Sequence, residues 1–410
     1  MIAEDIQLEL AEYLGYCEML TTVRDEKTVE DEEMMINRER LLTEFFELTR
    51  IDSPTKNERQ IADILKKRLE GMGSVISEDE AGLAIGGNCG NVFAYLTGTL
   101  PKAPVVLLSA HMDTVDPCLN IEPVLQDGLI TSAGSTILGA DDKAGIAPIM
   151  EALRTIQEQN IPHGDIQIIF NVAEEGGLHG SKNLDKTLLK ADLGFVLDCG
   201  GGPGEIILAA PGQDRINVTV KGRASHAGAF PEGGISAIVV AAKAIAKMPL
   251  GRIDDETTCN IGTIQGGLAT NIVAERVEIT CESRSRDIGK LESLTVQMCE
   301  TFKHSAEEMG AVAETEVIRL YDPYTLAEDS QVVVLAGQAA KSAGLKAIFG
   351  ETGGGSDANN YNRYGIPCTV LGIGMQKSHT TEECIKEEHL YQTANLVVEI
   401  VKAVARVQKG

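Results

Sequence analysis

Four short stretches limit what this chain can become: VVLLSA after Pro104, IQIIFNV after Asp165, LGFVLD from Leu193 and CTVLGIG from Cys368. Each is brief and apolar at successive positions, the pattern of a parallel strand buried on both faces. Between the first two runs lies AGIAPIMEALRTIQ (residues 144–157), a helical pattern in spite of Pro148. Upstream, Leu41, Leu42, Phe45, Phe46 and Leu48 form a helical stripe, and a second helix is expected from about Asn57. Strands alternating with helices predict an α/β fold: a mostly parallel sheet with helices on both faces.

Residues 212–323 have a different rhythm. RINVTVKG after Asp214 alternates as a half-exposed strand, and SAIVVAAKAIAKM after Ile235 is a strong helix. Strands are expected near 258–265 and 272–283, then a helix over 290–310 and a last strand near 315–320. This β-α-β-β-α-β order is that of a small α+β unit, inserted between the third and fourth core strands. The predicted organisation is an acidic extension over 1–37, a discontinuous catalytic domain over 38–211 and 324–410, and an inserted domain over 212–323. A length of 410 residues agrees with two or three domains at about 150 residues each.

Charge removes several classes of function. Against 61 acids stand 36 Lys and Arg, a net −25, which disfavours a nucleic-acid backbone or an anionic membrane as partner. The chain has no Trp and 4% aromatics, too few for base-stacking platforms. Eleven acids and two bases fall within residues 1–35, a solvated segment to which no chemistry is assigned. No apolar stretch approaches 18 residues, and the first 17 residues lack the pattern of a secretory signal. The nine cysteines are scattered, without a C-x-x-C pair, so neither a disulfide framework nor a thiolate zinc site is expected. The expectation is a cytoplasmic protein.

Acids and imidazoles gather just past the apolar runs. His111-Met-Asp113 follows the first, Glu174-Glu175 the second, Asp198 ends the third, and Ser378-His379 comes soon after the fourth; Asp141-Asp142-Lys143 opens the helix between the first two. Ligands of open α/β sheets bind beyond the carboxyl ends of the strands, so these residues should meet in one cleft. Two imidazoles with several carboxylates suit zinc or a similar divalent ion. A carboxylate shared by two ions would hold them about 3.5–4 Å apart. In His111-x-Asp113 the acid can accept from the imidazole's second nitrogen and fix its tautomer. Of Glu174 and Glu175, one could bind metal while the other takes a proton from water.

The segments HMDTV from His111, GADDKAG from Gly139, EEGG from Glu174, Asp198, ASHAG from Ala224 and SHTTE from Ser378 together resemble the M20 metallopeptidases, and among them the peptidase T-like (tripeptide aminopeptidase) branch. The resemblance spans roughly residues 40–405. It implies one ion on His111 and Asp198, a second on Glu175 and His379, and Asp141 between them. It also implies that Asp113 orients His111, that Glu174 is the general base and that the Asp141–Asp142 peptide is cis. The two ions would be zinc, with cobalt or manganese as alternatives. His226 would reach into a partner subunit's site and stabilise the oxyanion, making the protein a homodimer through the inserted domain. Asn271 and Arg284 match substrate-contacting positions, and the loop of residues 352–357, with Gly355, would offer N–H groups to a peptide carboxylate.

The reaction implied is metal-assisted hydrolysis of short peptides, an aminopeptidase acting on tripeptides. The alternatives are a deacylase or carboxypeptidase of the same fold and, from another class, a metal-dependent binding protein without turnover. Glu174 argues against the last, because a binder needs no non-ligand carboxylate beside the water. His163, His179, His304 and His389 are expected to be exposed or capping. Two glycine patterns fail on inspection: Ala140 stands where a P-loop needs lysine, and the run from Gly354 lacks the final glycine of a nucleophile elbow.

Overall fold

In a computed structural model, which describes residues 36–408, the four apolar runs lie side by side. The strands Ile166–Asn171, Val106–His111, Leu193–Cys199 and Cys368–Gly372 are parallel neighbours in that order. Register aligns Val106 with both Ile166 and Leu193, and His111 with Asn171. All carboxyl ends therefore open on one edge of the sheet. Antiparallel strands flank this centre: Val92–Leu96 and Val75–Glu78 on one side, Glu205–Ala210 and Tyr324–Thr325 on the other. Glu205–Ala210 escapes the sequence pattern because it runs almost directly into the strand Gly212–Lys221. Only Pro211 separates them, a residue that cannot donate to a ladder.

Successive strand residues face opposite layers. Val106, Leu108, Ile168, Phe195 and Leu197 pack with the helices Arg38–Thr49, Arg59–Gly71, Ala140–Glu158, Gln331–Ser342 and Glu387–Ala405. Leu107, Ile169, Val196 and Val370 face the other way, onto Leu184, Ala358 and Tyr361. Ile36 already packs on the first of these cores, and Asn37 caps the first described helix by accepting from the Arg40 N–H. The acidic segment 1–35 lies outside the described residues.

A second sheet occupies residues 212–321. Its strands run Gly251–Arg252, Thr257–Gly266, Arg276–Ser285, Gly212–Lys221, Val312–Tyr321 in spatial order, all antiparallel. The helices Ala237–Ala246 and Ile288–Glu307 cover one face, started by Ser236 and Asp287 caps. The expected β-α-β-β-α-β order is present, with the two-residue strand Gly251–Arg252 added. This layer has its own core, with Val218, Val240, Val277, Met298 and Phe302 buried together, apart from the cores of the parallel sheet.

Truncating a fully buried phenylalanine costs about 3–5 kcal/mol. Phe302→Ala should therefore lower protection of amides in the strands Gly212–Lys221 and Arg276–Ser285 in hydrogen exchange. Amides of Val106–His111 should be unchanged; equal loss in both sheets would show a single cooperative core.

Candidate metal centre

His111 is the last residue of its strand, Asp198 the sixth of seven in the neighbouring strand, and Glu174 and Glu175 follow Asn171 by three and four positions. Asp141 and Asp142 open the helix Ala140–Glu158 with non-helical backbone angles, and the peptide between them is cis. His379 comes from a loop in which its own φ is +64°. These segments meet as the sheet topology requires. His111 Nε2 lies 3.0 Å from Asp141 Oδ1 and 4.0 Å from Asp198 Oδ1. His379 Nε2 lies 2.9 Å from Glu175 Oε2 and 3.5 Å from Asp141 Oδ2. Asp141 thus turns one carboxylate oxygen to each imidazole.

Two overlapping donor groups arise, His111 with Asp141 and Glu175, and His111 with Asp142 and Asp198. Asp142 was not among the expected ligands. Its Oδ2 accepts the His111 backbone N–H at 3.1 Å, whereas its buried Oδ1 has no hydrogen-bond partner. Its only signal in sequence is the doubled aspartate.

A set of acceptors fixes this centre from behind. His111 Nδ1 lies 2.9 Å from the carbonyl oxygen of Asp113 and 3.5 Å from its carboxylate. The backbone oxygen is therefore the nearer partner that sets the tautomer, leaving Nε2 of the neutral ring to offer a lone pair. The Asp113 carboxylate is occupied elsewhere. Its Oδ1 accepts from Glu174 N–H at 2.9 Å, and its Oδ2 from Glu175 N–H at 3.3 Å and Thr55 Oγ1 at 2.8 Å. Glu58 Oε1 takes the preceding N–H, of Ala173, at 3.0 Å. Three consecutive amides around the Glu-Glu pair are thereby held by buried acids. Glu58 carries no motif in sequence, and burial pushes its carboxyl up to about 7.

Burial raises the carboxyls of Glu174 and Asp198 well above their ordinary range; the Asp198 charge adds to it at Glu174, and that of Asp141 at Asp198. Hydrogen bonds that His379 donates to the Asp141 and Glu175 carboxylates push it up to about 10. Burial alone would lower His111, but Asp113, Asp141 and the nearby acids outweigh it. Asp141 moves the opposite way, since its two imidazole partners overcome its own burial. Glu175 Oε1, like Asp142 Oδ1, is buried without a partner. Uncompensated buried carboxylate oxygens are costly, and this set of imidazole and carboxylate donors fits divalent cations.

The centre forms one wall of a cleft of about 380 Å³. Gln213, Arg284 and Tyr321 of the antiparallel sheet line the same cleft, as do Gly354, Gly355 and Ser356. A methyl at Gly355 would lie 2.3 Å from Tyr321 Cε2, so only glycine admits this approach of loop and ring. Arg284 does not stand free: Nε and Nη2 each donate to the Glu282 carboxylate at 3.0 Å.

His226 and Asn271 are absent from the cleft lining and are exposed. They sit together, the Ala227 N–H donating to the Asn271 carbonyl at 2.9 Å and His226 bridging Ile272. His226 Nδ1 accepts from the N–H groups of Gly228 and Ala229, which leaves Nε2 as the protonated donor. Among the remaining histidines, His163 is buried, contrary to expectation, because Nδ1 lies 2.7 Å from the Gly164 carbonyl under the 98–100 turn.

The profile of the peptidase family M20/M25/M40 matches residues 107–403. The aminopeptidase PepT of Bacillus cereus is 46% identical in sequence, with a TM-score of 0.84 over 91% of this chain and 100% of its own. A tripeptidase from Staphylococcus aureus is 42% identical, with a TM-score of 0.88 over the same shares. Peptidase T of Escherichia fergusonii is 27% identical over 393 residues, 86% of this chain and 93% of its own. With the cleft, the acid-rich centre and these relatives in agreement, the chain belongs to peptidase family M20/M25/M40, in its peptidase T-like branch.

Proposed function

We propose that this chain is a two-metal aminopeptidase that releases the N-terminal residue of tripeptides. One observation carries the mechanism: Glu174 is buried beside the donor groups, its backbone fixed by Asp113, and its carboxyl is held well above the usual range. In this reading His111 and Asp198 hold one ion, Glu175 and His379 the other, and Asp141 serves both. Imidazole and carboxylate donors favour zinc, with cobalt and manganese as substitutes. When bound, the ions supply Lewis acidity toward the scissile carbonyl and acidify the attacking water. Glu174 accepts the proton of that water and returns it to the leaving amine, as a raised carboxyl pKa favours. The nearest Arg284 donor outside its Glu282 pair, together with the Gly355 N–H, receives the peptide carboxylate. The size of the cleft supports a short peptide as substrate. The eight unpaired cysteines among the described residues, seven of them buried, support a cytoplasmic setting.

His226 is assigned to the oxyanion, to which its Nε2–H would donate. It lies outside the cleft of its own chain, so the reading requires a second copy paired through the inserted unit, residues 212–323. Two features support that pairing. The strand Thr257–Gly266 has no described neighbour on its outer edge beyond Cys259, and an open edge invites another strand. In the same unit Phe230, Ile238, Ile264 and Leu268 are exposed, Leu268 to 85%. Asn271 would move with His226 to the same partner site.

Zinc-loaded enzyme should cleave free tripeptides faster than N-blocked peptides or N-acyl amino acids, and Glu174→Gln should keep both ions while kcat falls roughly 10²–10⁴-fold. Preference for blocked substrates would overturn the aminopeptidase assignment; unchanged turnover in the variant would remove the base. Mixing inactive Glu174→Gln with inactive His226→Ala protein should restore up to about a quarter of wild-type activity, because half the redistributed dimers are mixed and each has one complete site. No recovery after subunit exchange would place His226 outside the partner's chemistry.

A further inference from the structure

Glu383 belongs to neither donor group, yet it is 1% exposed and its carboxylate makes three contacts with the metal centre's framework. Oε2 accepts the N–H groups of Leu138 at 2.8 Å and Gly139 at 2.7 Å, and Oε1 accepts the N–H of Asp141 at 2.9 Å. These donors span the turn at Gly139, φ +70°, through which the chain enters the helix and delivers Asp141. On its own side, the Glu383 N–H donates to the Thr380 carbonyl at 3.1 Å and closes the turn that follows His379. One side chain therefore joins the loop carrying Asp141 to the loop carrying His379, segments more than 200 residues apart.

We propose that Glu383 is a positioning residue of the metal centre, setting Asp141 so that its two oxygens face His111 and His379 together. The inference rests on the two-metal reading. A carboxylate is acceptor-only, which suits a site where all three partners are N–H donors. Glutamine would turn an NH₂ group toward at least one of those donors, so the Asp141 contact or the Leu138 and Gly139 contacts would be lost. Asp141 has no slack to absorb such a change: its Oδ1 is 3.0 Å from one imidazole and its Oδ2 3.5 Å from the other. Outer groups of this kind are worth about 10–100-fold in metal affinity.

The test is zinc binding to metal-stripped full-length protein, by competition with a chromophoric chelator, for wild type, Glu383→Gln, Glu383→Asp and the exposed control Glu382→Gln. Glu383→Asp keeps the charge but is one methylene too short to span both loops. Wild type should take two ions, and both Glu383 variants should bind zinc about 10–100-fold more weakly with the metal-free unfolding temperature little changed. Their kcat should fall more than KM changes, and Glu382→Gln should match wild type throughout. Wild-type zinc affinity in either folded Glu383 variant, or a loss confined to unfolding temperature, overturns the positioning role. Failure of wild type to bind two ions would instead overturn the two-metal reading beneath it.

Discussion

Asp141, Asp142, Glu174, Glu175 and Asp198 crowd around His111 at the edge of one sheet, mostly shielded from water. Their mutual repulsion is the constraint to which the rest of the centre responds. Screening is weak at that depth, and two imidazoles cannot balance five carboxylates. Burial, with the Asp198 charge adding to it, raises the Glu174 carboxyl, and the unpartnered oxygens of Asp142 and Glu175 show where compensation is missing. Divalent cations are the natural counter-charge, so the proposed ions would contribute to folding of the cleft as well as to its chemistry.

Precision in such a site comes from groups that never touch a reacting atom. The carbonyl of Asp113 sets the His111 ring, while its carboxylate holds the amides of Glu174 and Glu175. Glu58 extends that hold to Ala173, and Glu383 performs the same service for the loop of Asp141. All three are buried acids accepting backbone N–H groups. Backbone amides neutralise part of their charge without competing for a metal, which lets more carboxylates enter an already acidic region.

The antiparallel sheet closes the cleft with Gln213, Arg284 and Tyr321 but keeps His226 on its outer surface. There its imidazole is exposed with the tautomer set by the Gly228 and Ala229 N–H groups, and Leu268 and Ile264 of the same sheet layer are exposed as well. The proposed second copy gives each of these features a use at once.

Much of this was legible in the residues. The four apolar runs declare themselves because strands buried on both faces are apolar at successive positions, and the acids at their ends follow from where such sheets bind ligands. The strand Glu205–Ala210 was hidden because its boundary is a single proline. Asp142, Glu58 and Glu383 were hidden for a different reason: their roles depend on which backbone amides they meet, and amides carry no sequence signature. Arg284 differs, since its pairing with Glu282 follows from the two-residue spacing of side chains on one face of a strand. The sequence by itself determined the α/β class and the inserted unit's order of elements, because hydrophobic period is a local property, and it offered His111, Asp141, Glu175, Asp198 and His379 as candidate donors without showing Asp142 beside them. Only the tertiary structure decided that Asp141 faces both imidazoles, that the carbonyl and not the carboxylate of Asp113 lies nearest His111, and that His226 stands outside its own cleft. The first and last depend on distances between segments far apart in the chain, which only packing can set, and the second on the local backbone path from His111 to Asp113.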